Sequence, residues 1–448
     1  MEERDGGALG MDRLASPQIS RRGLLASAGG LGLGVFLMGC GSSSKPSSTS
    51  VPAGPASGAV PSIVKGLFEN DAKALAGKTV TIGAWLSLTG QGTQYGTLMG
   101  NGMRLAARQI SALGGPQINF AIQDNGSGTP TAGAEAARAT GNAGIAKVLS
   151  SQSFNVGSAL PAIEQFKMFT LDPGGGSFFF FGKPFAWGAK AIVYYDSVAG
   201  AMEWVAQSKK GTKIAYVGVD LGQQFTTLQV NRLKQEVTKN NLQLVGQPET
   251  APLGATDYST VISRINNYNP DVISAFLYGN DAPFFTKQYV QSGGKATVVG
   301  SDYTLAAAKI AGDAYKDFYF AMDYFPAGNP PNDWSKAFVD EYTKAYGSAP
   351  DAYAAGFYES MFIHLATMRR VVDNRGDINS GVDMDKAFRE HLVFNSVFGG
   401  SGSTIGTIAF NETTHSVQSR PSVLLNAHID QPQMLATFDI DGSNFKLV

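Results

Sequence analysis

From residue 79 onward, short apolar runs alternate with longer stretches of helical periodicity, and that alternation decides which folds are open to the chain. "TVTIGA" (79–84), "INFAIQ" (118–123), "IAKVLS" (145–150) and "MFTLD" (168–172) read as buried strands. Between them lie segments such as 97–113, where Leu98, Leu105 and Leu113 fall on one helical face. Connections of ten or more residues are too long for hairpins, so the strands are expected to pair in parallel through right-handed crossovers. This half of the chain reads as a doubly wound sheet.

The pattern then repeats. "KIAYVGV" (213–219), "LQLVGQ" (242–247), "DVISAFLY" (271–278), "ATVVG" (296–300) and "DFYFAM" (317–322) alternate with helical stretches, among them "TDYSTVISRINNY" with its Ser/Thr/Asp start signals. Residues 332–373 are helical again, and the tail from about 394 is glycine-rich, then strand-like at "GTIAFN" and "QMLATFDID". A chain that returns to its first lobe after finishing a second must cross between them several times, and several crossings make a hinge. The expected fold class is α/β, two doubly wound parallel-sheet lobes joined by a multi-strand hinge.

The first forty residues read as a targeting segment. Ser20, Arg21, Arg22, Gly23, Leu24 and Leu25 match the twin-arginine pattern, and an apolar, glycine-rich stretch follows, too short for a good membrane span. It ends in "LMGC" (37–40), which resembles the lipobox of bacterial lipoproteins; in that family the cut falls before the cysteine, whose thiol carries diacylglycerol. Cys40 is the single cysteine, so the exported part can hold no intramolecular disulfide and depends on its core. The Ser/Pro/Gly run after it reads as a disordered tether. The expected boundaries are a signal peptide over 1–39, lipidated Cys40 and tether over 40–62, lobe 1 over 63–191 and 327–420, and lobe 2 over 192–326 and 421–448.

Composition narrows the partners. Charged residues are 16% and net charge is −1, so no basic surface advertises nucleic acid. After Cys40 no apolar run reaches the length of about 18 residues that a second membrane anchor needs. The four histidines, His364, His391, His415 and His428, show no zinc-binding spacing, "FDIDGSNF" lacks the ligands of a calcium loop, and "GGSGS" lacks the partners of a serine nucleophile. Neither enzymatic chemistry nor a cofactor is expected.

The stretch "LSLTGQGTQYG" (86–96) carries the sharpest competing signal. Gly90, Gly92 and Gly96 form G-x-G-x-x-x-G between a strand and a helix, and Asp124 closes the next strand near where a ribose-binding acid would stand. An exported NAD(P)-dependent enzyme would use such a loop. Against it, the spacing is one residue too long, and Gln94 and Tyr95 put bulk where a pyrophosphate needs bare backbone. A structural turn at a strand's carboxyl end is the plainer alternative.

The order and spacing of longer segments resemble the branched-chain amino-acid (Leu/Ile/Val) type of ABC-transporter substrate-binding protein, a type I periplasmic binding protein. "VTIGAWLSLTGQGTQYG" resembles that family's opening strand and ligand loop, and "GMRLAARQISALGG" its first helix and turn. "TDYSTVISRINNYNPDVISAFLYGNDAPFFTKQYVQSGG" is similar to its second-lobe segment and "SAPDAYAAGFYESMFIHLA" to its late first-lobe helix. The resemblance covers about 79 to 448 and implies an extracytoplasmic receptor that binds a small solute, an amino acid or amide-like compound, and delivers it to ABC permease subunits. It further implies a monomer, held at the membrane here through Cys40. A ligand-sensing protein of the same fold is the neighbouring alternative.

Carried over residue by residue, the resemblance makes Tyr95 a pocket wall and Ser153, in "SSQSFN", the hydroxyl that takes a ligand carboxylate oxygen; an N-cap role for Ser153 is compatible with that. Gly174, Gly175 and Gly176 would offer backbone N–H groups to the same carboxylate, with Ser177 in place of the family's hydroxyl one position later. In the second lobe Phe225 stands where relatives carry a tyrosine, Tyr278 matches a pocket tyrosine, and Asp302 matches the acid that meets the ligand's ammonium. A buried carboxylate calls for such a cation or for donors of its own.

Overall fold

The computed structural model describes residues 59–175, 180–190, 196–417, 422–427, 432–439 and 442–448. Cys40, the signal and tether segments up to 58, Gly176 and Ser177 lie outside the described residues, as does the side chain of Ser153.

Helix α1 (Ser62–Lys73) opens the described chain; Val64, Phe68 and Ala72, spaced for one face, are its buried side. Strand β1 (Thr79–Leu86), helix α2 (Thr93–Ala112), β2 (Gln117–Asp124), α3 (Pro130–Asn142), β3 (Lys147–Leu149), α4 (Ser153–Phe166), β4 (Phe169–Asp172) and β5 (Ala186–Gly188) follow. The strands form one sheet in the order β2-β1-β3-β4-β5, with every pair parallel. β1 is buried almost throughout, as a strand covered on both faces must be.

The second sheet takes up α5 (Val198–Gln207), β6 (Lys213–Asp220), α6 (Gln223–Lys239), β7 (Gln243–Leu244), β8 (Glu249–Pro252), α7 (Ser259–Asn267), β9 (Val272–Phe276), α8 (Asp281–Gln291), β10 (Thr297–Gly300), α9 (Leu305–Ala311) and β11 (Phe318–Met322). The chain then returns to the first lobe through α10 (Asp333–Tyr346), α11 (Ala352–Asp373) and α12 (Gly381–Arg389), and a hairpin of β12 (Val393–Ser401) and β13 (Thr404–Ala409). Finally β14 (Ser422–Asn426), β15 (Gln433–Phe438) and β16 (Lys446–Leu447) join the second sheet beside β11, giving β16-β15-β14-β11-β10-β9-β6-β7 with β8 also on β6. That sheet is therefore mixed: β11, β14, β15 and β16 pair antiparallel.

Three places depart from the sequence reading. The strand expected over 242–247 is cut to Gln243–Leu244, because Gly246 turns the chain at φ +72° against the Tyr268 ring; Glu249–Pro252, too polar to be read as a strand, pairs with the far half of β6 instead. β12 lies in a stretch read as glycine-rich tail. Helix α1 was not read at all, yet Phe68 packs its ring 4.9 Å from Trp334 and 4.3 Å from Phe362.

Local signals explain the later helices well. Asn332 and Ser335 form a reciprocal capping box at the start of α10, and Gly347 ends it in the left-handed region at φ +74°. α11 lies against α2 so closely that a Cβ on Gly102 would come within 2.2 Å of the Ala354 carbonyl oxygen. The Tyr358 hydroxyl donates across the same contact to Gln109 Oε1 at 2.6 Å. This packing fixes the start of α11, and with it Tyr353, above the carboxyl ends of the first sheet.

Candidate functional site

In parallel α/β sheets ligands meet the loops beyond the carboxyl ends of the strands, and those loops of both sheets approach one another here. The 87–92 loop is tied down by its own side. Ser87 Oγ donates to Asn125 Oδ1 at 2.9 Å, Asn125 Nδ2 to Ser151 Oγ at 2.8 Å, and Ser151 Oγ to the Trp85 carbonyl at 2.8 Å. Asp124 accepts from Leu88 N at 3.0 Å, Gly126 N at 2.9 Å and Thr89 Oγ1 at 2.5 Å. Burial opposes its charge, but these donors outweigh it and hold the carboxyl below the ordinary range.

This geometry answers the nucleotide reading. Gly92 N–H, which a phosphate cradle would need, donates to Ser127 Oγ at 2.7 Å, and Asp124 is occupied by the loop itself. Gly96 is required for packing: a Cβ there would sit 2.1 Å from the Ser87 carbonyl oxygen. The three glycines fold the loop onto its own lobe.

Across the gap, Tyr95, Tyr278 and Asp302 lie in one buried cluster. The Tyr95 hydroxyl, from the first turn of α2, donates to Asp302 Oδ2 and accepts from Gly279 N at 2.9 Å. In the opposite direction the Tyr278 hydroxyl donates to the Ser127 carbonyl. Thr304 Oγ1 donates to Gln94 Oε1 at 3.1 Å while capping α9. Burial first, and the Asp302 charge next, push the Tyr95 hydroxyl well above its ordinary range, so it is a donor at any physiological pH.

Asp302, 8% exposed, takes two further donors: Tyr353 OH at 2.7 Å and Tyr303 N at 2.8 Å, both on Oδ1. Tyr353 in turn receives Lys190, whose Nζ lies 3.4 Å from the hydroxyl, 4.7 Å from the ring centroid and 3.9 Å from Asp323 Oδ1. Asp351 caps α11 through Ala354 N at 2.9 Å, and burial lifts its carboxyl to about 6.

Gly174 and Gly175 do not present their N–H groups as the sequence reading required. Gly174 N donates to Asp172 Oδ1 at 2.9 Å and Gly175 N to the Asp172 carbonyl at 3.2 Å, so the chain's own aspartate holds both. Burial pushes Asp172 up to about 7 against the pull of the Gly174 N–H and the Lys190 charge. Ser153 stands at the start of α4, and Phe225, half-buried in the first turn of α6, stands at the matching edge of the second sheet.

Sequence reasoning missed Tyr353, Lys190, Asp323 and Asp172. Tyr353 and Asp172 sit inside segments already singled out, "SAPDAYAAGFYES" and "DPGGGS", where a polar residue beside a small-residue run was the available signal. Lys190 carries no local signal. Among the described residues no group of three or more His, Cys, Asp and Glu side chains could hold a metal ion.

Two α/β lobes, crossed repeatedly by the chain and facing each other through a buried polar cluster, define a two-lobed binding protein. The chain belongs to the periplasmic binding protein family, whose model matches residues 79–423. No curated protein sequence matches the chain. Its fold is shared with a leucine binding protein, LivK, from Thermotoga maritima (19% identity, 81% of this chain and 99% of that one, TM-score 0.70). It is also shared with an ABC-transporter solute binding protein from R. palustris in complex with benzoate (17%, 80% and 96%, 0.67). A fatty acid ABC transporter substrate-binding protein from Thermomonospora curvata is similar too (16%, 84% and 97%, 0.68).

Proposed function

We propose that this chain is an extracytoplasmic receptor that binds a small amino-acid-like or amide-like solute between its lobes and delivers it to an ABC importer, anchored through a lipid on Cys40. The observation that carries the reading is Asp302. It is a buried second-lobe carboxylate whose donors, Tyr95 and Tyr353, come from first-lobe helices packed on each other. A phenol hydroxyl is a neutral donor; an ammonium or polarised N–H of a solute makes a stronger, charge-assisted bond to the same oxygen. Solute can therefore exchange with Tyr95 at Asp302 and still leave the two lobes bridged. That the fold's relatives include proteins named for leucine, benzoate and fatty acid supports a small organic solute without choosing among them.

The test is a thermal-shift screen of the full chain against amino acids, short amides, urea, aromatic acids and nicotinamide nucleotides. A solute at 100 times its dissociation constant stabilises by about 2.7 kcal/mol, a rise of several degrees. An N–H-bearing solute should give that rise, and Asp302→Asn should remove it. A rise from nucleotides alone would overturn the reading.

A further inference from the structure

In the first lobe, a backbone N–H expected to meet a solute carboxylate is already held by a carboxylate of the chain. Asp172, at the end of β4 and 0% exposed, holds the Gly174 N–H on Oδ1, while its carbonyl receives Gly175 N and, at 2.8 Å, Ala189 N. Of these only the Gly174 N–H is held by the side-chain carboxylate, and it is one of the backbone donors that the resemblance assigns to a solute carboxylate. Beside it, on the adjacent strand end, is Ser150, also 0% exposed; its N–H donates to the Leu171 carbonyl at 3.0 Å, which sets the two side chains next to each other.

Asp172 Oδ2 and Ser150 Oγ are both buried, and neither meets hydrogen-bond geometry with any described residue, although the hydroxyl is close enough to favour the charged carboxyl. The Ser150 hydroxyl is the one described donor near Asp172 Oδ2, and a buried carboxylate oxygen so short of donors is a place where a ligand can supply one. The wider cluster leans the same way. Asp172, Asp302, Asp323 and Asp351 stand around Tyr353 and one described ammonium, Lys190. A further carboxylate entering beside Asp172 and Asp302 would meet like charge, whereas an N–H donor or cation would meet acceptors.

Building on the receptor reading, we propose that the site takes a solute bearing amine, amidine or amide N–H groups and no carboxylate, Asp172 standing where a carboxylate of the solute would otherwise sit. The solute's N–H groups reach Asp172 Oδ2 and Ser150 Oγ on one side and Asp302 on the other.

Calorimetric titration of the full chain with sets that share a skeleton tests this: leucine, isoamylamine and isocaproate; phenylalanine, phenethylamine and hydrocinnamate; and butyramide beside butyrate. The carboxylate-free member of a set should bind about tenfold or more tighter than its amino acid, a difference of about 1.4 kcal/mol, and the pure acids should not bind. An amino acid or acid that binds as tightly as the amine overturns this inference and leaves the receptor reading standing; silence from every compound overturns both. Asp172→Asn keeps an acceptor for Gly174 N–H but loses the charge, and should weaken the amine by about tenfold. Asp172→Gly removes the carboxylate and releases the Gly174 N–H, while the main-chain carbonyl keeps Gly175 N and Ala189 N; it should bring leucine binding up relative to isoamylamine. If the glycine variant fails to fold, the asparagine variant decides: unchanged amine affinity sinks the proposal.

Discussion

At the scale of single residues, Tyr95 carries the most consequence. Its hydroxyl is donor to Asp302 and acceptor from Gly279 N, both buried partners on the other lobe. Tyr95→Phe strands two polar groups at once, and we expect the unliganded protein to lose about 1–3 kcal/mol. A solute that supplies its own donor to Asp302 restores part of that loss. The solute-induced rise in melting temperature should therefore be larger in Tyr95→Phe than in the wild type; an equal or smaller rise would mean that solute and phenol do not share the carboxylate. Tyr95, Tyr278 and Asp302 were legible in the sequence because they sit in segments resembling a family's ligand loops. Lys190 and Tyr353 were not, since their meeting spans 163 positions and depends on how α11 lies on α2.

At the scale of elements, apolar runs announced β1, β3, β4, β6, β9, β10 and β11, because a strand covered on both faces must be apolar nearly throughout. β8 was hidden for the converse reason: an edge strand tolerates Glu249 and Pro252, and Pro and charge read as loop. β3 holds a less visible device. Lys147, 1% exposed, extends its ammonium to the Ile378 carbonyl at 2.7 Å and Asn379 Oδ1 at 3.1 Å, pinning the turn before α12. Burial lowers its pKa to about 8, partly opposed by Asp377. Below that value both folded and unfolded chains carry the proton; between about 8 and 10.5 the unfolded chain binds more protons, so stability rises with pH. Urea melts should show the wild type gaining on Lys147→Met across pH 8 to 10, by on the order of 1 kcal/mol per pH unit at most. Parallel curves would show that Lys147 is not the buried cation described.

At the scale of the whole molecule, the chain passes from the first sheet to the second between β5 and α5, returns between β11 and α10, and crosses again between β13 and β14. The proposed lipid site, Cys40, lies upstream of the described residues. If Cys40 carries the lipid, Cys40→Ala should shift the protein from the membrane fraction to the soluble extracytoplasmic fraction, with solute affinity unchanged. Retention at the membrane would exclude that anchor.

The opposed hydroxyls of Tyr95 and Tyr278 set a clock as well as a contact. Each crosses from one lobe to a partner on the other, and they run in opposite directions. Moving the lobes apart by about the width of a water molecule would break both together, so we expect a shut and an open state with little between. A solute then waits for an opening rather than forcing one. At high solute concentration we expect the pace of loading to stop following concentration and to settle at the frequency with which these contacts, with those of Tyr353 and Thr304, let go.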